Sequence, residues 1–160
     1  MHPSSDPAHR LRRWRSRLAA FMALASLPGI VAAQAAAPSD AGLLERGKYL
    51  MGSVVACGNC HTPRGPDGAL LPGRELAGGV PFLEKPFDAY GSNLTPDPET
   101  GVGRWTDAQL KKAIREGIRP DGSLIGPPMP FAYYRRLADD DLDAVIAYLR
   151  QVPAVRHAVP

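Results

Sequence analysis

Residues 57–61 of the chain read Cys-Gly-Asn-Cys-His, and this run contains both cysteines of the 160-residue sequence. Two thiols at this spacing can add across the two vinyl groups of a protoporphyrin, and the adjacent imidazole of His61 can then bind the iron from one side. Cys57, Cys60 and His61 therefore predict one covalently attached haem c, with His61 as the proximal ligand of its iron.

Other uses of a Cys-x-x-Cys pair fit the surrounding sequence less well. A thioredoxin-like redox site follows a buried strand, and residues 53–56 are too short to supply one. A structural zinc site needs four ligands. The remaining histidines lie towards the two chain ends, at His2, His9 and His157, so the sequence offers no evident fourth ligand for zinc. A disulfide between Cys57 and Cys60 would close a loop too small to stabilise the chain much.

An iron bound by His61 needs a ligand on its other side, and Met129 is the leading candidate. It lies in the stiff segment Gly126-Pro127-Pro128-Met129-Pro130, where prolines fix the backbone and exclude a helix. The alternative is that Met129 fills an apolar gap. Met51 and His157 are rival ligands, but Met51 lies on the predicted helix before the haem motif, and His157 lies in a tail expected to fray.

Ligation by both His61 and Met129 would fill the two axial positions, raise the reduction potential and leave no open position for a substrate. This pattern favours electron transfer over catalysis, so we expect no catalytic residues. An open distal position would instead give a haem enzyme or a gas sensor. A chain without haem would be a thiol protein, either a disulfide exchanger or a metal chaperone.

Further side chains are candidates to orient the haem. We expect a backbone carbonyl near Pro72 to accept a hydrogen bond from the Nδ1 of His61. Trp105 could donate its indole N–H to a haem propionate, although core packing explains this tryptophan equally well. Weaker candidates for such a role are Tyr90, Tyr133 and Tyr134.

The N-terminus is typical of an export signal. Five arginines precede a largely apolar run from Leu18 to Ala33, and small residues follow it. The apolar run is interrupted by Pro28-Gly29 and is shorter than the roughly 20 residues that a membrane-spanning helix needs. We therefore expect residues 1–33 to be a cleaved signal peptide and the mature protein to be periplasmic.

The net charge of +3 belongs partly to this leader. From Gln34 onward, 14 lysines and arginines stand against 15 aspartates and glutamates. Binding to nucleic acid requires a positive patch that neutralises several phosphates, so we expect no nucleic-acid partner. The remaining chain suffices for one small domain, and a buried porphyrin would serve as the centre of its core.

Three helices are predicted around the motifs. Residues 40–56 carry apolar side chains at three- and four-residue spacing and lead into the haem motif. Gly47 within them is interpreted as a close helix crossing, the alternative being a tolerated weak position in the helix. A second helix begins at the capping box Thr106-Asp107-Ala108-Gln109 and stops at Gly117. A third runs from Asp139 or Asp140 to about residue 151.

Residues 62–103 show no sustained periodicity. A loop of this length is unusual in a compact domain. We expect it to wrap its apolar side chains around the porphyrin.

Over essentially all of residues 40–155, the chain resembles the class I c-type cytochromes, and within them it is similar to the cytochrome modules of periplasmic dehydrogenases. The likeness rests on Cys57-Gly58-Asn59-Cys60-His61-Thr62-Pro63-Arg64-Gly65, on Asn93-Leu94-Thr95-Pro96-Asp97 with Thr100-Gly101-Val102-Gly103 and Trp105-Thr106-Asp107, and on Arg119-Pro120-Asp121-Gly122 with Pro128-Met129-Pro130. Similar cytochrome subunits commonly carry three haem motifs, whereas this chain has one.

The resemblance implies an all-α cytochrome c fold, with three to five helices around one covalently bound haem and long irregular loops. It implies a helix crossing near Gly47 and Tyr148-Leu149, thioether bonds at Cys57 and Cys60, and axial ligation by His61 and Met129. The expected organisation is a signal peptide over 1–33, a linker over 34–39, a cytochrome domain over 40–155 and a flexible tail over 156–160.

The resemblance also implies redox partners. These are a dehydrogenase as electron donor and an oxidase or another cytochrome of the respiratory chain as acceptor, in a complex that can be membrane-associated. In similar sequences the last helix opens with Ser or Thr where this chain has Ala138. We expect Asp139 to take over the N-cap.

Overall fold

A computed structural model describes residues 39–86 and 88–160 of the chain. The predicted signal peptide (1–33) and residues 34–38 of the predicted linker lie outside the described residues. The described elements are α1 (Asp40–Tyr49), a π-helical segment (Leu50–Val54), α2 (Gly58–His61), β1 (Pro81–Phe82), β2 (Ala89–Tyr90), α3 (Asp107–Glu116), α4 (Phe131–Tyr134) and α5 (Asp139–Gln151). Among these residues, no helix combines the length and apolar character needed to cross a bilayer.

The helix predicted over residues 40–56 forms, but its second half is wound differently from its first. Ser39 caps α1 by accepting a hydrogen bond from the backbone N–H of Gly42 at 3.2 Å. After α1 the chain continues as the π-helical segment, whose wider turn closes where the N–H of Val55 donates to the carbonyl of Leu50 at 2.9 Å. Leu50 and Met51 are both buried in this segment. π-Helical turns of this kind often occur next to functional sites.

α1 crosses α5 at Gly47, which is buried. A Cβ atom added to Gly47 would overlap the carbonyl oxygen of Ala144 and would lie 2.8 Å from the Cβ of Tyr148. The absence of a side chain therefore allows the two backbones to touch. The crossing lies where the resemblance places it.

Gly47→Ala is expected to destabilise the folded protein by about 1–3 kcal/mol, because the overlap with α5 outweighs the gain in helix propensity. Denaturant unfolding monitored by circular dichroism measures the loss. Gly52→Ala is the matched control, since a Cβ there would meet nothing within 4 Å. Equal stability of the two variants would contradict the close crossing at Gly47.

α5 belongs to both apolar clusters of the core. The first cluster contains Leu50, Met51, Val55, Leu76, Ala144, Val145 and Leu149, and the second contains Val102, Leu110, Leu142 and Ile146. Successive faces of α5 thus pack against the N-terminal helical segment on one side and against α3 on the other. The core is built around this last helix.

Ion pairs reinforce the position of α5. Its carboxylates pair with cations from other helices: Asp139 with Arg115 of α3 at 2.6 Å, Asp141 with Arg46 of α1 at 2.8 Å, and Asp143 with Lys111 of α3 at 2.5 Å. Arg150, near the C-terminus of α5, pairs with Asp107 of α3 at 2.8 Å. Exposed pairs of this kind each contribute about 0–1 kcal/mol, so they orient α5 more than they stabilise it.

Most of the predicted helix boundaries are found in the structure, but the predicted N-cap of α5 is wrong. The Thr106–Gln109 capping box forms, with the Gln109 backbone N–H donating to Thr106 Oγ1 at 3.2 Å and the Gln109 Oε1 accepting from the Thr106 N–H at 2.8 Å. Gly117 ends α3 in the left-handed conformation at φ 69°. The N-cap of α5 is Ala138 rather than Asp139, and it has no side-chain cap. Asp139 is engaged by Arg115 instead.

Several short elements lie outside the three predicted helices. β1 and β2 pair antiparallel within the predicted irregular loop, with Pro81 opposite Tyr90 and Phe82 opposite Ala89, so the described chain is helical but not all-α. The short helix α4 follows the Met129 segment directly. Strands of two residues and a helix of four are too short to show periodicity in a sequence.

The C-terminal segment differs from the predicted flexible tail over 156–160. The backbone N–H of His157 donates to Thr100 Oγ1 at 2.9 Å, and its ring Nδ1 lies 2.8 Å from the carbonyl oxygen of Ala77. Both partners are more than 50 residues away in sequence, so no local pattern reveals them. His157 is held against the body of the protein and not against the predicted haem ligands.

Candidate functional site

One cavity of about 1060 Å³ is lined by all five of the leading site residues predicted from the sequence. Its walls include Cys57, Cys60, His61, Trp105 and Met129. Tyr90 and Tyr134 also line it, whereas Tyr133 is 79 % exposed and does not. The rival ligands are elsewhere: Met51 is in the apolar core and His157 is packed against Ala77.

The two cysteines are presented by the short helix α2. Cys57 is its N-cap residue, and the backbone N–H of His61 donates to the Cys57 carbonyl at 3.0 Å. Ala56, immediately before, has a positive φ of 49°, a conformation that non-glycine residues seldom adopt and that is often found at functional sites. This sharp turn directs one helical turn carrying both thiols and the imidazole into the cavity wall.

The chemistry of the thiols argues against a disulfide exchanger. Both cysteines are free. Burial raises the pKa of the Cys57 thiol to about 11. Exchange requires a thiolate, and reactive cysteines have lowered pKa values. Cys57 is therefore a poor nucleophile in the folded chain.

His61 is held in the tautomer that a metal ligand needs. Its Nδ1 lies 2.7 Å from the backbone carbonyl oxygen of Ser92 and donates its proton there. Nε2 is then the unprotonated nitrogen, with a lone pair available to a metal. Burial lowers the pKa of His61, against an opposing effect of the Ser92 bond, so the ring is kept neutral.

The carbonyl that orients His61 is therefore that of Ser92, and the prediction of a carbonyl near Pro72 is wrong. The segment after Pro72 makes other hydrogen bonds to the end of α2 instead. The N–H of Leu76 donates to Thr62 Oγ1 at 3.0 Å, and the N–H of Gly78 donates to the His61 carbonyl at 2.7 Å. These bonds fix the end of α2 but leave the His61 ring to Ser92.

Gly91 explains how Ser92 comes close enough to His61. A Cβ atom on Gly91 would overlap the carbonyl oxygen of Cys60. Only a glycine lets this segment pack directly on the haem motif. Gly91 and Ser92 were not predicted from the sequence, because the contact that makes them important joins segments about 30 positions apart.

Met129 is far from the haem motif in the sequence but lines the same cavity. The segment carrying it is fixed at both ends. The N–H of Ile125 donates to the Gly117 carbonyl at 2.7 Å, and the N–H of Tyr133 in α4 donates to the Pro130 carbonyl at 2.9 Å. Met129 thus sits on a short bridge between α3 and α4.

Tyr134 joins the Met129 side of the cavity to the cysteine side. Its hydroxyl donates to the carbonyl of Val55 at 2.9 Å, across 79 residues of sequence. Burial, together with the nearby Cys57 and Cys60, raises the pKa of Tyr134 to about 12, so the phenol keeps its proton. Trp105 lines the cavity and also packs against the Val102 and Leu110 cluster, so both of its predicted roles fit its position.

These residues fit a covalent haem. Two free thiols, an imidazole with an available Nε2 and a thioether border one large cavity whose other walls are mainly apolar, including Leu94, Val102 and Ile114. A volume of about 1060 Å³ slightly exceeds the roughly 300–1,000 Å³ typical of ligand pockets, as expected for a large planar group.

Comparisons with known proteins agree with the geometry. Residues 44–153 match the family model described as Cytochrome c. The chain is 39 % identical over 122 residues to a subunit of the nicotinate dehydrogenase of Pseudomonas putida, a match covering 76 % of this chain and 10 % of that protein. It is 38 % identical over 110 residues to the cytochrome c subunit of the quinone alcohol dehydrogenase of Gluconobacter oxydans, covering 69 % and 21 %.

A third similar protein is the fructose dehydrogenase cytochrome subunit of Gluconobacter japonicus, 39 % identical over 107 residues, with 66 % of this chain and 20 % of that protein covered. The chain therefore spans between about a tenth and about a fifth of the length of these relatives.

Proposed function

Because this chain belongs to the cytochrome c family and carries haem c at its Cys57–Cys60 motif, we propose that it transfers single electrons as a monohaem cytochrome with His61 and Met129 as axial ligands. The haem iron supplies a reversible one-electron couple. The observation that supports the ligand pair most is that His61 and Met129, 68 positions apart in the sequence, line one cavity, while the rivals Met51 and His157 are engaged elsewhere.

The protein side chains determine how this couple behaves. Ser92 holds the His61 ring so that Nε2 is the donor atom. The thioether of Met129, a soft ligand, favours the reduced state and raises the potential. Apolar walls reduce access of water to the site, which also favours the less charged state. A site filled on both sides by protein ligands carries electrons and leaves no position for substrate.

We propose that the electron donor is a dehydrogenase and that the acceptor is an oxidase or another cytochrome of the respiratory chain. Support comes from the relatives, which are named as a subunit of nicotinate dehydrogenase and as cytochrome subunits of alcohol, fructose and gluconate dehydrogenases. The proposed place of action is the periplasm, within or beside a membrane-associated complex. The arginine-rich, apolar leader over residues 1–33 supports export.

The purified full chain tests the proposed function directly. We expect a red chromophore that stays attached after denaturation, a reversible one-electron titration, and no carbon monoxide binding by the reduced protein at neutral pH. Carbon monoxide binding without any treatment would favour an open distal site, and with it a haem enzyme or a gas sensor. A colourless exported protein would contradict haem attachment itself.

A further inference from the structure

The side chain next to Ser92 is a buried amide that makes hydrogen bonds in two directions. Asn93 is only 3 % exposed. Its Nδ2 donates to Thr100 Oγ1 at 3.1 Å and to the carbonyl of Val155 at 2.8 Å. Its Oδ1 accepts from the Thr95 backbone N–H at 2.9 Å and from Thr95 Oγ1 at 2.7 Å. Nearly all of the hydrogen-bonding capacity of this amide is therefore used.

The same network anchors the C-terminal segment. The N–H of Val155 donates to Thr95 Oγ1 at 3.1 Å, and the N–H of His157 donates to Thr100 Oγ1 at 2.9 Å. The carbonyl of His157 lies 3.4 Å from Asn93 Nδ2. Residues 93–100 and 155–157, about 60 positions apart in sequence, are thus joined through one amide and two hydroxyl groups.

Thr100 is itself fixed, because Asp97 Oδ1 accepts from its backbone N–H at 2.7 Å and from its hydroxyl at 2.8 Å. These bonds lower the pKa of Asp97, so the carboxylate stays charged and keeps accepting. The network therefore ends on a turn that is itself hydrogen-bonded through Asp97.

The network reaches His61 through the backbone of Ser92. On one side of Ser92, Gly91 packs against the carbonyl of Cys60. On the other side, Asn93 is locked by its side chain, and the N–H of Leu94 donates to the carbonyl of Leu76 at 2.8 Å. The Ser92 carbonyl that accepts the Nδ1 proton of His61 is consequently held from both neighbours.

We propose that Asn93 is a positioning residue for the electron-transfer site. By tying Ser92 to the C-terminal segment, Asn93 fixes the carbonyl that orients the His61 imidazole, and so sets how strongly that imidazole donates electron density to the iron. This inference rests on the proposed role of His61 as an axial ligand. A well-placed acceptor at Nδ1 makes the imidazole more basic, and a more basic ligand stabilises the oxidised state. Loosening the acceptor should raise the midpoint potential.

The experiment compares Asn93→Ala with the milder Thr100→Val in the reduced holoprotein. Hydrogen–deuterium exchange of the His61 Nδ1 proton is followed by NMR, and the midpoint potential is titrated. We expect exchange to be at least about tenfold faster in Asn93→Ala and several-fold faster in Thr100→Val, with a higher midpoint potential in both. If Asn93→Ala does not fold, Thr100→Val decides the question.

Thr106→Ala is the matched control, because it removes the capping hydroxyl of α3 and destabilises that helix without touching this network. It should leave both the exchange rate and the potential unchanged. Equal effects of Thr100→Val and Thr106→Ala, or an unchanged exchange rate in the network variants, would overturn the role of Asn93. An irreversible or absent one-electron couple in the wild type would instead contradict the proposed function.

Discussion

A chain in which Cys57 and Cys60 are both replaced by alanine is expected not to accumulate as a folded protein. The double variant cannot attach haem, and the cavity of about 1060 Å³ would be left without its occupant. Its apolar walls would then face water, at a cost of about 25 cal/mol for each Å² of apolar surface left unburied. A loss of several kcal/mol in this way is large against the roughly 5–15 kcal/mol that holds a domain together.

Circular dichroism and resistance to proteolysis of the exported double variant measure this effect. Cys57→Ala alone is the control, since Cys60 can still form one thioether bond and His61 is unchanged. We expect the single variant to retain haem and fold with reduced stability. Normal helical content in the haem-free double variant would show that the cofactor is not the centre of the core.

Replacing Met129 with alanine is expected to keep the haem attached and to open the sixth coordination position. The sulfur-to-iron absorption band should disappear, and the reduced protein should bind carbon monoxide. The midpoint potential should fall by on the order of 0.2 V, a fraction of the roughly 0.8 V over which axial ligands tune haem. Redox titration and absorption spectroscopy of the holoprotein measure these changes.

Two further variants make the Met129 result specific. Met129→Leu keeps an apolar side chain of similar volume without the sulfur, so it should shift the potential as Met129→Ala does. Met51→Ala removes the other methionine of this region from the core, where it is 4 % exposed, and should cost about 2–5 kcal/mol of stability without changing the potential. An unchanged potential in Met129→Ala would rule out this ligand.

What the sequence predicted well depends on neighbours within a few positions. The Thr106–Gln109 capping box and the glycine stop at Gly117 are set by hydrogen bonds between residues of one helical turn, and both are present. The haem motif is similarly local, since α2 brings Cys57, Cys60 and His61 together within one helical turn. Patterns of this kind are visible without knowledge of the tertiary structure.

What the sequence did not predict depends on contacts between distant segments. The Ser92 carbonyl lies 31 positions after His61, and any backbone carbonyl can accept a hydrogen bond, so its residue type carries no signal. The anchoring of His157 depends on Thr100 and Ala77, which lie 57 and 80 positions away in the sequence. The acceptor near Pro72 was expected from proximity in sequence, and the fold uses that segment for other bonds.

The wide turn at Leu50–Val54 has a related explanation. An apolar pattern at three- and four-residue spacing predicts a helix without distinguishing α from π winding. In the structure the π-helical segment buries both Leu50 and Met51 in the cluster that α5 completes, just before the chain turns at Ala56. Packing between distant segments of this kind is not visible in the local sequence.

The pairing of Asp139, Asp141 and Asp143 with cations of α1 and α3 bears on how a redox partner finds this protein. Beyond a Debye length of about 10 Å, each pair acts as a small dipole and contributes almost nothing to the long-range field. These three carboxylates therefore do little to steer a diffusing partner.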